Sequence, residues 1–464
     1  MILVNVLIKP VYIFFIDAKV QDTLGTEKYG LYFGIFNFAY ILYILTDMGI
    51  QNYNSRTIAR NHGLLDKYLP HILGLKLLLS AVYLSAGIVL AWIFGYGIRE
   101  IGIFIFIALN LILLSFILYL RTNIAAIGKY RWDSMISVLD KVILILVLGA
   151  LLYYGNRDSF TLYHYIFAQT FALALVLAVA LGINFRLAGV KGVRMSRSFA
   201  KKILKDSLPY SLIFILMALY MKMDGFMLER MLPTPVEAGK YAAAFRLYEA
   251  FNNIGYLFAV LLLPMFASLL ENKRKLKNLI HTSHNLMLVI SLTAVVVAIM
   301  YGRDIMMFLY PESYNDSYSK ILSILMISFF AVNLTYIYGT LLTAAGRLSI
   351  FNKIVAVGVV INFVLNFVLI PRYGAFGAAM ATVVTQYFVL AAQYYIDIRS
   401  FALDFDFRLF IKRLSYAFSV VAVFYIIRYH FEAASIIRIA LSVIISLLLA
   451  IITGMIKLSD LKQE

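Results

Sequence analysis

The chain has 464 residues, 63% of them hydrophobic and only 14% charged, and a mean hydropathy of +0.87. This composition lies outside that of soluble globular proteins and reads as an integral membrane protein. Cysteine is absent and the six histidines show no ligand spacing, which excludes disulfides, thiol catalysis and cysteine- or histidine-held metals. The formal charge of +17 would suit nucleic acid, but the basic residues are distributed by loop, so topology explains them and no nucleic-acid partner is expected.

Apolar runs long enough to cross a bilayer fall near residues 2–16, 29–50, 69–95, 99–120, 134–154, 160–184, 206–229, 241–264, 280–301, 321–345, 350–370, 373–397, 410–428 and 435–456, fourteen in all. The opening MILVNVLIKPVYIFFI has no basic leader or small-residue cleavage site and reads as an uncleaved first span. It is short, and the natural chain is expected to begin a few residues earlier. Counted from a cytoplasmic N-terminus, the inside segments hold 25 Lys and Arg, the outside segments 11, and five lie within spans. That bias puts both termini in the cytoplasm. The most basic connector, FRLAGVKGVRMSRSFAKKILK (185–205), follows the sixth span; it suits a hinge and contact with anionic lipid headgroups.

The two halves echo each other. Lys9 and Lys222 lie 213 residues apart, Asp17 and Glu229 lie 212 apart, as do Tyr29 and Tyr241, and Ala125–Lys129 matches Ala344–Arg347 at about 218. Each match joins span n to span n + 6, so the halves run in one direction and are related about an axis along the membrane normal. The expected fold is an all-α membrane protein of 14 transmembrane helices: two six-helix bundles in a pseudo-twofold parallel repeat, plus two C-terminal helices. The expected divisions are 1–190 for the N-terminal bundle, 191–205 for the linker, 206–400 for the C-terminal bundle and 401–464 for helices 13, 14 and the tail.

Charges at membrane depth are costly and by default functional. Lys9, Lys76, Lys141, Lys222 and Arg246 are five such cations, suited to holding oxyanions. Lys9 and Lys222 each open a half and are expected to face one another across the pseudo-axis, although snorkelling is the plain alternative. Arg246, Glu249, Asn253 and Tyr256 share one helix face, with Glu249 expected to orient Arg246 or respond to protons; a structural ion pair is the alternative. Asp224 is available to pair with Lys76 or Lys141. Asp140 and Lys141 are adjacent, and Asp133, Ser137 and Asp140 form a stripe for which self-neutralisation is an equal reading. Asp47 closes the second span, at the membrane interface. Asn333 and Tyr336 are glycan-contact candidates, whereas Asn362 and Asn366, one turn apart, suit helix-to-helix bonds. No catalytic or metal-ligating residue stands out, and no cofactor is expected.

The strings EKYGLYFGIFNFAYILYILTDMGIQNYNSRTIAR (27–60), AGKYAAAFR (238–246) and AAGRLSIFNKIVAVGVVINFVLNFVLIPRYGAFGAAMATVV (344–384) resemble the polysaccharide flippases of the MOP superfamily, the Wzx-like proteins, over nearly the whole chain. The resemblance implies an inner-membrane flippase that carries undecaprenyl-pyrophosphate-linked oligosaccharide to the periplasmic leaflet by alternating access, for capsule or O-antigen synthesis. Lipid-linked oligosaccharide and membrane lipids are then the partners, with H+ or Na+ as coupling ion and a polysaccharide polymerase as a further partner. It also implies that cations on the first and eighth spans line the central cavity, matching Lys9 and Arg246, that early acids take coupling ions, and that spans 13 and 14 form a groove for the lipid tail. No Gly-x-x-x-x-Gly-Lys-Ser/Thr phosphate loop occurs, so ATP is not expected to drive transport within this chain. A cation-coupled drug or metabolite exporter competes, but would favour an acidic cavity. A membrane glycosyltransferase or polymerase would need a larger outside loop than 302–320.

Overall fold

The structure, a computed structural model, describes residues 8–155, 159–189, 192–401 and 406–456, without the side chains of 209, 210 and 212–214. The start of the expected first span (2–7), residues 190 and 191 of the basic connector and the terminal Lys457 and Lys462 lie outside the described residues.

Among the described residues the regular structure is helical throughout. A π-helical turn, Tyr12–Asp17, leads into α1 (Ala18–Leu42). There follow α2 (Ile50–Arg60), α3 (Leu65–Ile93), α4 (Ile98–Ala126), α5 (Tyr130–Tyr153), α6 (Leu162–Ala188), α7 (Arg197–Met231), α8 (Val236–Leu269), α9 (Lys273–Leu309), α10 (Asp316–Ala344), α11 (Leu348–Tyr373), α12 (Ala375–Phe401), α13 (Phe407–His430) and α14 (Ser435–Ile452). Among the described residues, twelve helical segments are long and apolar enough to cross a bilayer. The first of them, Ile8–Thr46, has 39 residues, about 58 Å at 1.5 Å per residue, or roughly twice a ~30 Å hydrocarbon core. It breaks at Gly25, whose φ of 76° belongs to the left-handed side that only glycine adopts readily. The 35-residue α7 is not among the twelve, and α2, rich in Asn, Gln and Arg, is too polar to be.

Residues 17–28, which their polarity marks as a loop, are instead helical on both sides of Gly25. Asp17, Gln21 and Asp22 are buried and bonded within the protein: Asp17 accepts from the Tyr165 hydroxyl at 2.5 Å, the Gln21 amide donates to the Gly239 carbonyl at 3.0 Å, and Lys19 pairs with Asp22 at 3.1 Å. The starts of α9, α10 and α13 carry side-chain caps that satisfy orphan amides. Asn272 Oδ1 accepts from the Lys275 amide, Asn315 Oδ1 from Ser317, and Asp406 from Arg408 and Leu409.

The repeated Ala-Ala-Ile-Gly-Lys and Ala-Ala-Gly-Arg strings fold alike. Gly128 (φ 79°) ends α4 and Gly346 (φ 73°) ends α10. In each the residue after the glycine returns its amide to a carbonyl five residues back, Lys129 to Ile124 at 3.1 Å and Arg347 to Leu342 at 2.9 Å. This is the left-handed glycine stop that a helix needs to release its last carbonyls.

The chain falls into two compact units, residues 1–239 and 240–464. The basic segment around 191–205 lies inside the first, because α7 packs on α1. That contact is made by small residues, as close helix approach in a membrane requires. A β-carbon on Gly30 would strike the Pro235 carbonyl, one on Gly34 the Glu229 side chain, and one on Gly225 the side chains of Asn37 and Phe33. In the second unit α9, α10, α11 and α12 pack in succession, and α13 with α14 lies against α9. Tyr416, Val420 and Phe424 of α13 are buried there with Val296 and Tyr301 of α9. Asn366 donates to Asn362 at 3.0 Å on α11, and a β-carbon on Gly377 would meet the Leu369 carbonyl, so the tight α11–α12 hairpin follows from its small residues.

Candidate functional site

In the first unit, Lys9, Arg121, Asp140 and Lys141 line one cavity of about 190 Å3, with Ser137 and a wall of Leu114, Ile117, Ile136, Leu173 and Val176. Arg121 closes α4 and reaches across the Gly128 turn to Asp133 of α5, Nε to Oδ1 at 2.7 Å. Asp140 and Lys141 lie seven and eight residues beyond Asp133 on α5, about 10–12 Å further along the helix, and form an ion pair at 3.1 Å. The Lys141 ammonium also sits 4.6 Å above the Tyr12 ring, a cation–π contact presented by the π-helical turn, a device that recurs at functional sites. Lys9 is exposed and has no hydrogen-bond or ion-pair partner among the described residues. Three cations thus converge, two of them each balanced by one acid, leaving the pocket a net acceptor for an anion.

The other cations are placed differently. Lys76 is fully buried, and its ammonium spends its donors on Asp47 Oδ1 (2.9 Å), the Thr46 carbonyl (3.0 Å) and Ser115 Oγ (2.7 Å). The pairing of Asp224 with Lys76 or Lys141 is therefore not what forms: Asp47 and Asp140 hold those lysines, and Asp224 is buried elsewhere on α7. Asp47 is itself buried, 7% exposed, and neutralises Lys76. Lys222 lies buried against α1, its ammonium 5.3 Å from the Tyr40 ring and 6.0 Å from Phe36, and does not line the pocket that holds Lys9.

In the second unit Arg246 and Glu249 are half-buried on α8 and Asn253 is exposed, its amide bonded to the Glu249 carbonyl at 3.0 Å. Tyr256 is 54% exposed. Asn333 is fully buried, donates to the Phe329 carbonyl and, with the Tyr336 ring, packs on Gly255, so its amide faces a helix contact.

Three features are not marked by any local pattern in the sequence. Arg121 ends its span and reads as an ordinary inside-loop cation; the available signal was Asp133, which a hairpin around Gly128 brings opposite it. Outside the spans, Tyr96 donates to Glu229 at 2.6 Å with the Arg230 guanidinium 4.3 Å over its ring. Burial, then the Glu229 carboxylate, holds the Tyr96 hydroxyl far above the ordinary phenol range, so it stays a donor. In the second unit Asp397 and Gln393, one turn apart on α12, are fully buried, and no side-chain oxygen of either has a hydrogen-bond donor among the described residues.

Residues 3–270 match the family model described as polysaccharide biosynthesis protein. An uncharacterized membrane protein of Methanocaldococcus jannaschii is 24% identical over 377 residues, 78% of this chain and 88% of that protein. The capsular polysaccharide biosynthesis protein CapF of Staphylococcus aureus is 24% identical over 152 residues, 32% of this chain and 37% of its own length. Among solved structures, the inward closed conformation of the lipid II flippase MurJ superposes with a TM-score of 0.70 at 14% identity, covering 98% of this chain and 99% of that one. An inward-facing multidrug MATE transporter of the MOP superfamily gives 0.65 at 15% identity, covering 84% and 94%. The fold is the all-helical one shared by these two structures, and with the family model spanning more than half its length this multi-pass membrane chain belongs to the polysaccharide biosynthesis protein family.

Proposed function

We propose that this protein is a flippase which moves a polyprenyl-pyrophosphate-linked oligosaccharide across the bacterial cytoplasmic membrane, its diphosphate engaged by Lys9, Arg121 and Lys141. The observation that carries the reading is the convergence of those three cations on one pocket, in a chain whose family is defined by polysaccharide biosynthesis. Ammonium and guanidinium groups hold phosphoryl oxygens by charge-assisted hydrogen bonds, and a site walled by apolar side chains screens them weakly. With Ile8–Thr46 counted as two crossings at Gly25 and α7 added, the helices supply fourteen spans, and the Lys and Arg bias then puts both termini and this pocket at the cytoplasmic end. That is the side on which a lipid-linked glycan is built and loaded. Arg246 and Lys222 belong to the later path, and a proton or sodium gradient supplies direction. The net basic pocket disfavours the exporter of organic cations. The deciding experiment is flipping of a labelled polyprenyl-pyrophosphate oligosaccharide in proteoliposomes. The intact protein should move it and Lys9→Ala with Arg121→Ala should not, whereas transport of organic cations with no glycolipid movement would overturn the reading.

A further inference from the structure

Beside the cationic pocket lies a second cavity of about 390 Å3, lined by Ile8, Trp132, Met135, Leu139, Val142 and their neighbours on α5 and α6. Its size is that of ligand-binding cavities, about 300 to 1,000 Å3, and Ser134 is the one polar side chain among the residues that line it. The two cavities adjoin along α5. Ile136 lines both, and the consecutive residues Ile8 and Lys9 divide between them, Ile8 in the apolar groove and Lys9 in the basic pocket. On α5, Trp132, Met135, Leu139 and Val142 follow i, i+3, i+7, i+10 along one face, while Ser137, Asp140 and Lys141 turn to another. One helix therefore separates a charged compartment from an apolar one, an arrangement that matches a molecule with a phosphorylated head and a hydrocarbon tail.

We infer that this groove seats the head-proximal isoprene units of the polyprenyl chain while the diphosphate occupies the pocket of Lys9, Arg121 and Lys141. This rests on the flippase reading and adds to it a chain site on the first unit, away from α13 and α14. The number of donors, more than the net charge, favours a diphosphate: Arg121 and Lys141 are each balanced by an acid, but three cationic donor groups suit the oxygens of two phosphoryl groups better than those of one phosphodiester. Because a tail in the bilayer is already in an apolar solvent, the groove gains by shape and contact, not by dehydration. Its contribution is accordingly selection and orientation of the chain, with the headgroup giving most of the affinity.

The test uses the full chain in nanodiscs and a polyprenyl diphosphate carrying a photoreactive diazirine on its second isoprene unit. Labelling is expected on 132–142 and 179–183. Val142→Trp and, as a second variant on a more exposed side chain, Val179→Trp fill the groove; each should lower labelling and probe affinity about three- to tenfold while leaving binding of inorganic pyrophosphate unchanged. Lys9→Ala should weaken both ligands. Labelling confined to α13 and α14, unchanged probe affinity in both groove variants, or displacement of the probe by phosphatidylglycerol at equal concentration would each overturn the proposal. A correct labelling pattern with no flipping in proteoliposomes would sink the transport reading and leave the groove standing; flipping without labelling here would do the reverse.

Discussion

The ammonium of Lys76 meets the carboxylate of Asp47 at 2.9 Å in a fully enclosed site, completed by the Thr46 carbonyl and Ser115. Breaking one partner of a buried ion pair leaves an uncompensated charge and costs about 3–5 kcal/mol, whereas replacing both with apolar groups is often neutral. Lys76→Met should therefore lower the thermal midpoint of the purified protein sharply. The double variant Lys76→Met with Asp47→Leu should recover most of that loss and retain flipping per folded molecule. Loss of flipping in a well-folded double variant would show that Lys76 serves transport.

The α1–α7 contact gives a second expectation. Gly34 leaves no room for a β-carbon against Glu229, nor Gly225 against Asn37 and Phe33, so Gly34→Ala and Gly225→Ala force helices apart at a cost of about 1–3 kcal/mol each. Both should reduce detergent stability, while Gly102→Ala, whose β-carbon would meet nothing within 4 Å, should leave the melting curve in place.

Tyr53 on α2, outside the candidate spans, bonds to Asp206 at 3.3 Å. Desolvation first, then the Tyr68 hydroxyl as bonding partner and repulsive neighbour and the Asp206 charge, pushes its pKa up to about 12. A group whose folded pKa is raised contributes stability that is whole below its unfolded value, near 10, and is lost as pH rises toward 12. Ultraviolet titration of the wild type minus Tyr53→Phe should show one tyrosinate forming in that upper window, and the small stability advantage of the wild type should fade across it. A difference titration centred near 10 would contradict the assignment.

How much of this was legible beforehand depends on what each residue's neighbours supply. The spans could be read because apolar length is a local property, and the Gly128 and Gly346 stops because a left-handed glycine turn is written in five residues. The helical character of 17–28 was hidden: Asp17, Gln21 and Asp22 look like loop residues until Tyr165, Gly239 and Lys19 are found beside them. Depth likewise singled out Lys76 and Lys141, yet nothing local told that Asp47 would saturate the first while Tyr12 and Asp140 leave the second facing a cavity. Arg121 has an ordinary position at a span end, and only the α4–α5 hairpin makes it a pocket residue.

Asp397 and Gln393 provide a fourth expectation. A buried carboxyl group without a hydrogen-bond partner carries an uncompensated desolvation cost, so an amide of similar shape gives up no hydrogen bond. Asp397→Asn should leave the melting temperature unchanged or raise it, by an amount on the order of 1–3 kcal/mol in unfolding free energy. A marked loss of stability would mean that the carboxylate is engaged in the working protein.

The pocket itself makes the last prediction, and its acids give it the needed control. Lys141 is tied to Asp140 and Arg121 to Asp133, so removing a single cation takes away an anchor and also frees a carboxylate that repels the diphosphate. Lys9, with no such partner among the described residues, subtracts only its own attraction. Hydrogen bonds to charged groups contribute about 1.5–3 kcal/mol, so Lys9→Ala should raise the KM for lipid-linked glycan at least tenfold with a smaller change in kcat. Lys141→Met should do worse, and Asp140→Asn added to it should restore part of the loss. Raised salt should weaken substrate capture by the wild type more than capture by Lys9→Ala, because the exposed Lys9 is the cation that salt screens most. Equal KM values for Lys141→Met with and without Asp140→Asn would show that the substrate's charge is never read in this pocket.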